Sequence, residues 1–157
     1  MCAIVVDMGA TDRMLCFALY SASRKTIRTY REFLDPWNLT YPQYLVLYVL
    51  WNQGPQTVRK LGEEMELDSG TLSPLVKRLE QAGYISRHRT PEDERVVNIR
   101  LTEAGEQLRE PLSRIPRDVA AAMGVTDDAT ASGLIRSLRQ IGHQGPASTS
   151  HTPTRKD

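Results

Sequence analysis

The chain has 157 residues and a near balance of charge, 20 Lys and Arg against 19 Asp and Glu. That balance excludes a basic tail as the route to a polyanion, so any nucleic-acid contact must come from locally concentrated charge. No apolar run approaches the roughly 18 residues that a membrane span needs. Residues 1–10 carry only the short patch Ile4-Val5-Val6 before Asp7, without the basic start and long apolar stretch of a secretory signal. A cytoplasmic location is therefore expected, where cysteines rarely form structural disulfides. Cys2 and Cys16 are each left as apolar filler or as a reactive thiol.

Residues 1–10 are expected to form a flexible extension. Thr11 or Asp12 can cap a first helix running to about Leu34, with Met14, Leu15, Leu19, Ala22, Ile27, Phe33 and Leu34 among its apolar positions. Asp35-Pro36 stops it. Thr40 can cap a second helix, with Pro42 in its first turn. The body of that helix, Tyr44 to Trp51, is apolar on all sides and therefore buried. After the turn Asn52-Gln53-Gly54-Pro55, Thr57 can cap a short third helix from Val58 to about Met65.

A fourth helix is expected to start near Gly70 or Thr71, which leaves Pro74 in its tolerant first turn. It ends near Gln81-Ala82, and Gly83 stands where a left-handed cap belongs. Tyr84 to Arg89 and Arg95 to Leu101, joined by Thr90-Pro91-Glu92-Asp93-Glu94, read as a β-hairpin. Thr102 caps a fifth helix that must bend or break near Pro111 and Pro116. Thr126-Asp127-Asp128 starts a last amphipathic helix, with Leu134, Ile135, Leu138 and Ile141 on one side. From about His143 to residue 157 the composition is that of a disordered tail. The fold class is mainly α with a small β-hairpin.

The order helix, short turn, helix, hairpin is the plan of a winged helix-turn-helix, whose second helix enters the major groove of DNA. The residues presented there would be Ser69, Thr71, Ser73, Lys77 and Arg78, with hydroxyls for phosphates or base edges and cations for phosphates. Between Lys77 and Arg100 stand six Lys or Arg, among them Arg87, Arg89 and Arg95, against four acids. Arg95 at the hairpin tip is placed to enter a narrow minor groove. A charged hairpin that is only a solvated surface is the alternative.

Cys16 lies in the apolar run Met14-Leu15-Cys16-Phe17-Ala18-Leu19-Tyr20, which suits a small buried hydrophobe as well as a reactive thiol. Tyr20 is one turn further on the same face. Tyr30 is about 21 Å along a straight helix and cannot reach its own Cys16, although a copy in an antiparallel dimer could. Tyr41, at the start of the second helix, could approach the same place. Phenols that donate to a thiolate stabilise it; the other use of such phenols is to bond backbone. His88, His143 and His151 are scattered without ligand spacing, so no metal and no cofactor is expected.

The stretch Leu67-Asp68-Ser69-Gly70-Thr71-Leu72-Ser73-Pro74-Leu75 followed by Lys77-Arg78-Leu79-Glu80 resembles the recognition helix of the MarR family. Asp93-Glu94-Arg95 with Leu101-Thr102 resembles that family's wing signature, in which Asp93 would hold Arg95. The similarity spans roughly Met14 to Gln140 and implies a winged helix domain over about 11–142. Its dimerisation helices would lie at about 11–34 and 103–142 and its DNA-binding part at about 40–102. The implied partners are a second copy of the chain and a pseudo-palindromic double-stranded operator.

Cys16-Phe17-Ala18-Leu19-Tyr20 together with Leu39-Thr40-Tyr41-Pro42-Gln43-Tyr44 resembles one branch of that family, the organic-hydroperoxide repressors. The resemblance implies that Cys16 is the sensor, hydrogen-bonded by the partner subunit's Tyr30 and Tyr41, in an apolar pocket that favours organic peroxides. No cysteine follows Cys16, which matches the one-cysteine type, whose sulfenic acid is trapped by a low-molecular-weight thiol. Cys2 reads as an incidental exposed thiol. Two rivals remain: a repressor released by a non-covalent aromatic ligand, and a thiol peroxidase. Against the peroxidase, the chain has neither a Thr-x-x-Cys nor a Cys-x-x-Cys arrangement.

Overall fold

The computed structural model describes residue 11, residues 13–90 and residues 93–143, with side chains described outside 90–96 and 142–143. The expected N-terminal extension and C-terminal tail (residues 144–157) lie outside the described residues. The chain divides into two compact units, one reaching to Val119 and one starting at Ala120.

In the first unit, α1 spans Leu15–Leu34. The expected start at Thr11 or Asp12 is corrected, because Met14 holds the cap position with extended backbone and no side-chain cap bond. The reason is a turn: the Met14 N–H donates to the Thr11 carbonyl at 2.9 Å, which takes residue 11 out of helical register. A 3-10 turn over Asp35–Trp37 and a left-handed Asn38 then lead to α2, Tyr41–Gln53. A capping box fixes the start of α2, with the Thr40 N–H donating to Gln43 Oε1 at 2.8 Å. Of the apolar run of α2, Tyr44, Val46, Leu47, Val49, Leu50 and Trp51 are buried, Leu45 is half-buried and Tyr48 is exposed.

Two short pieces follow. Strand β1, Gln56–Thr57, was not foreseen; it pairs with a later strand. Helix α3, Val58–Met65, starts where Thr57 Oγ1 accepts from the Lys60 N–H, as the sequence anticipates. Glu66 in left-handed conformation turns the chain into α4, Ser69–Gln81. Strands β2, Ile85–Thr90, and β3, Asp93–Leu101, complete an antiparallel sheet of order β1-β3-β2, with Ile85 opposite Leu101 and Arg87 opposite Ile99. The expected hairpin is thus a three-stranded sheet.

The region after Thr102 breaks into α5, Glu103–Gln107, α6, Arg109–Leu112, and α7, Ile115–Ala122. Pro111 and Pro116 each fall in a first turn, the only helical place where a missing N–H costs little, so each proline opens a new helix. The core gathers Leu34, Leu47, Leu61, Leu72, Leu79, Ile99 and Leu112, all fully buried. Each such side chain contributes about 1.5–3 kcal/mol.

In the second unit, α8 spans Asp128–His143. Asp127 caps it by accepting from the Thr130 N–H at 2.8 Å. Leu134, Ile135, Leu138 and Ile141 of this helix are each about half exposed. Among the described residues, no helix is long and apolar enough to cross a membrane.

Candidate nucleic-acid interface and thiol site

The two ends of α4 are fixed by local chemistry. At its start, the Asp68 carboxylate accepts from the Thr71 N–H and from the Thr71 hydroxyl, both at 2.9 Å. These bonds hold the Asp68 carboxyl below the usual range. At its end, Gly83 takes the left-handed φ of +79° that its cap position calls for.

The helix starts at Ser69, earlier than expected, so Pro74 lies beyond the first turn and one intrahelical bond is absent. The Ser73 hydroxyl donates to the Ser69 carbonyl at 2.7 Å beside it. Leu72, Val76 and Leu79 bury one face. Ser69, Thr71, Ser73, Lys77 and Arg78 are all exposed, so each of the expected reading residues is open to solvent. Thr71 and Ser73 already donate their hydroxyl protons within the helix, so each meets a ligand as an acceptor.

The hairpin cations differ among themselves. Arg87 Nε donates to Glu80 Oε2 at 2.8 Å and forms an ion pair with it, so its charge is offset by the last turn of α4. Sequence reasoning missed Glu80, for no pattern marks a pair seven residues apart across a helix-to-strand turn. Arg89 is exposed, and like Lys77 and Arg78 it has no acidic partner among the described residues. Asp93 and Arg95 stand on β3, and the expected contact between them falls on side chains outside the described residues. A cleft of about 710 Å³ opens between α3, α4 and the sheet, walled by Val58, Lys60, Ser73, Val76, Arg87 and Val97.

Cys16 is a free thiol on the second residue of α1. In the single chain Cys16 is exposed, and Met14, Leu15 and Phe17 beside it are exposed too, so one copy alone does not form the apolar pocket that the resemblance implies. The cause is the reach of α1, whose apolar stripe is buried only near its C-terminal end, at Tyr30 and Leu34. Tyr20 is exposed; Arg24 Nη1 donates to its oxygen at 3.2 Å, and the Arg24 guanidinium carbon lies 5.6 Å from the ring centroid. This use of the oxygen lone pair leaves the phenol proton available to another acceptor.

Tyr30 and Tyr41, 11 positions apart in the sequence, are brought together with ring centroids 4.3 Å apart. Burial, then the neighbouring phenols, pushes Tyr30 up to about 12, and burial raises Tyr41 as well. Both are therefore neutral hydrogen-bond donors at ordinary pH. Tyr44 lies 5.8 Å from Tyr30, and sequence reasoning had given it no role. No group of three His, Cys, Asp or Glu among the described residues could hold a metal.

The model of the MarR family matches residues 39–97, from the approach to α2 to the middle of β3. The chain is 51% identical over 110 residues to the organic hydroperoxide resistance transcriptional regulator of Bacillus subtilis, covering 70% of this chain and 75% of that one. Its fold matches the structure of reduced AbfR bound to DNA, a Staphylococcus epidermidis protein, with a TM-score of 0.69 and 35% identity over 82% of this chain and 89% of the other. Overoxidized AbfR bound to DNA matches with a TM-score of 0.66 and 36% identity, over 81% and 88% of the two chains.

Proposed function

Because the chain belongs to the MarR family of transcriptional regulators, we propose that it is a dimeric repressor that releases its operator when an organic hydroperoxide oxidises Cys16. The observation that supports this reading is that Cys16 is an exposed thiol while Tyr30 and Tyr41 lie in ring contact with each other, at a point too far along α1 to serve the Cys16 of the same copy. Helix α1 is unbroken from Leu15 to Leu34, so Cys16 and Tyr30 are separated by about 21 Å along one rod. A second copy running antiparallel supplies the phenols. The exposed apolar residues of α1 and those of α8 support such an assembly, since each unit leaves them uncovered.

The chemistry follows from the groups present. The Cys16 thiolate attacks the terminal oxygen of the hydroperoxide, the O–O bond breaks, and the alkoxide takes a proton to leave as an alcohol. Cys16 becomes a sulfenic acid. A low-molecular-weight thiol then condenses with it, giving a mixed disulfide and water. Added bulk at Cys16 disturbs the phenol contacts between copies and changes the separation of the two α4 helices. Half-sites one helical turn apart, about 34 Å, then no longer fit. On the DNA side, Ser69, Thr71, Ser73, Lys77 and Arg78 meet the major groove, Arg89 meets phosphates, and Arg95, held by Asp93, enters the minor groove.

Operator binding by the reduced protein, titrated with cumene hydroperoxide for wild type and Cys16→Ser, tests the reading. Release of wild type alone is expected. Equal release of both variants would sink it. That outcome would favour the second reading, release by a non-covalent aromatic ligand, for which the cleft between α3, α4 and the sheet offers a place. Consumption of peroxide at one equivalent per Cys16, rather than many, separates a sensor from a thiol peroxidase.

A further inference from the structure

The Tyr30–Tyr41 pair is one end of a longer row. Tyr41, Tyr44, Tyr48 and Trp51 follow one another along a stripe of α2 at helical spacing. Ring centroids lie 5.8 Å apart for Tyr30 and Tyr44, 5.9 Å for Tyr44 and Tyr48, and 6.1 Å for Tyr44 and Trp51. Trp51 ends the row, where its indole Nε1 donates to the Gly105 carbonyl at 3.0 Å, a buried bond between residues 54 positions apart.

Gly105 lies so close to the Tyr84 carbonyl that no Cβ could be added there. Next to it, the Thr102 N–H donates to the Tyr84 carbonyl at 3.0 Å and the Thr102 hydroxyl donates to the Gly83 carbonyl at 2.6 Å. Gly83 and Tyr84 form the joint between α4 and β2. A continuous run of packed groups thus leads from the phenol pair to the joint that carries both DNA-facing elements.

One member of the row is anomalous. Tyr44 is 1% exposed, and its hydroxyl is the only sealed side-chain polar atom among the described residues with no hydrogen-bond partner. Such a group is less stable than the phenylalanine of the same shape that could replace it. It is already sealed inside one protomer, so a second copy cannot reach it without opening the core. A group unpartnered in one arrangement and bonded in another biases the equilibrium between them. The phenols of Tyr30 and Tyr48 are the neighbours that a small shift of rings would bring to it.

We propose that Tyr44 and Trp51 are positioning residues that relay the state of the Tyr30–Tyr41 pair along α2, through Gly105, to the α4–β2 joint. The relay rests on the Cys16 reading above. When oxidation of Cys16 disturbs the contacts of Tyr30 and Tyr41 with it, the rings of the row shift and the Tyr44 hydroxyl gains a partner. The Trp51–Gly105 bond carries the shift to the joint.

The experiment compares wild type, Tyr44→Phe and Trp51→Phe, each reduced and after cumene hydroperoxide. The readouts are operator affinity in both states, the rate of Cys16 oxidation by mass spectrometry, and the thermal midpoint. Both variants are expected to bind operator when reduced, and Trp51→Phe to lose its thiol at the wild-type rate. The ratio of reduced to oxidised affinity is expected to shrink by about 2- to 30-fold. Reduced Tyr44→Phe is expected to melt above wild type.

A ratio unchanged in both variants, with wild type still released, overturns the relay alone. A lower midpoint for Tyr44→Phe also overturns it, because the hydroxyl would then be bonded in the reduced state. Wild type that keeps its operator after its thiol is consumed overturns the relay together with the reading it rests on. If Trp51→Phe fails to fold, Tyr44→Phe, which removes a single oxygen, decides by the same criteria.

Discussion

Arg87, on the first hairpin strand, donates through Nε to the Glu80 carboxylate in the last turn of α4 at 2.8 Å. The pair fastens the hairpin to the helix and offsets one of the cations that the sequence offers to DNA. Each Lys or Arg that neutralises a phosphate steepens the salt dependence of binding by about 0.9. Lys77→Gln and Arg78→Gln are each expected to reduce the slope of log affinity against log salt by about that amount. Arg87→Gln is expected to leave it near the wild-type value. A slope change for Arg87→Gln as large as that for Lys77→Gln would mean that the pair opens on DNA.

Burial raises the hydroxyls of Tyr30, Tyr41 and Tyr44 above the ordinary value of 10.0, Tyr30 to about 12. Between pH 10 and 12 the unfolded chain releases protons that the folded chain keeps, so stability falls as pH rises through that window. The contribution is fully present below pH 10. Tm is expected to decline between pH 9.5 and about 11.5, and Tyr30→Phe is expected to flatten the decline. An equally steep decline in Tyr30→Phe would show that the loss has another source.

Much of this molecule was legible because its signals are local. Thr40, Thr57 and Thr102 announce their helices by capping chemistry, and Gly83 announces the end of α4. The start of α1 was not legible, since the Thr11–Met14 turn competes with a cap that the same residues could equally make. Strand β1 was missed because two residues give no period to read. At the site, the exposure of the α4 hydroxyls and cations followed from the helical period. The Glu80–Arg87 pair and the ring contact of Tyr30 with Tyr41 depend on tertiary packing that no spacing encodes.

Among the described glycines, Gly105 leaves the least room for a side chain, because a Cβ there would collide with the Tyr84 carbonyl and press on Leu101. The obstacle is backbone held by the Thr102 N–H, so it cannot swing aside as a flexible side chain would. Gly105→Ala is expected to cost at least about 3 kcal/mol, in the class of overpacking changes. Urea unfolding of the two proteins side by side measures it. A variant with the wild-type midpoint would show that α5 can move away from the joint at little cost.

The cap of α4 predicts an acid response. Asp68 accepts from the Thr71 N–H first and from its hydroxyl second, and these bonds hold its carboxyl below the ordinary 3.8. In the unfolded chain the carboxyl protonates at the ordinary value, so the unfolded state binds more protons in the interval between the two. The cap's contribution is therefore fully present above pH 3.8 and is lost as pH falls through the lowered folded value. Asn caps a helix about as well as Asp without titrating. Asp68→Asn is expected to melt near wild type at pH 7 and to lack this part of the acid loss, whereas Asp68→Ala is expected to melt lower at both. Thermal melts from pH 7 to pH 3 check this, and an Asp68→Asn curve parallel to wild type would place the acid loss on another carboxylate. Asp68→Ala also frees Thr71 from the bonds that fix the first turn of α4, so the same variant is expected to bind operator more weakly even where it is fully folded.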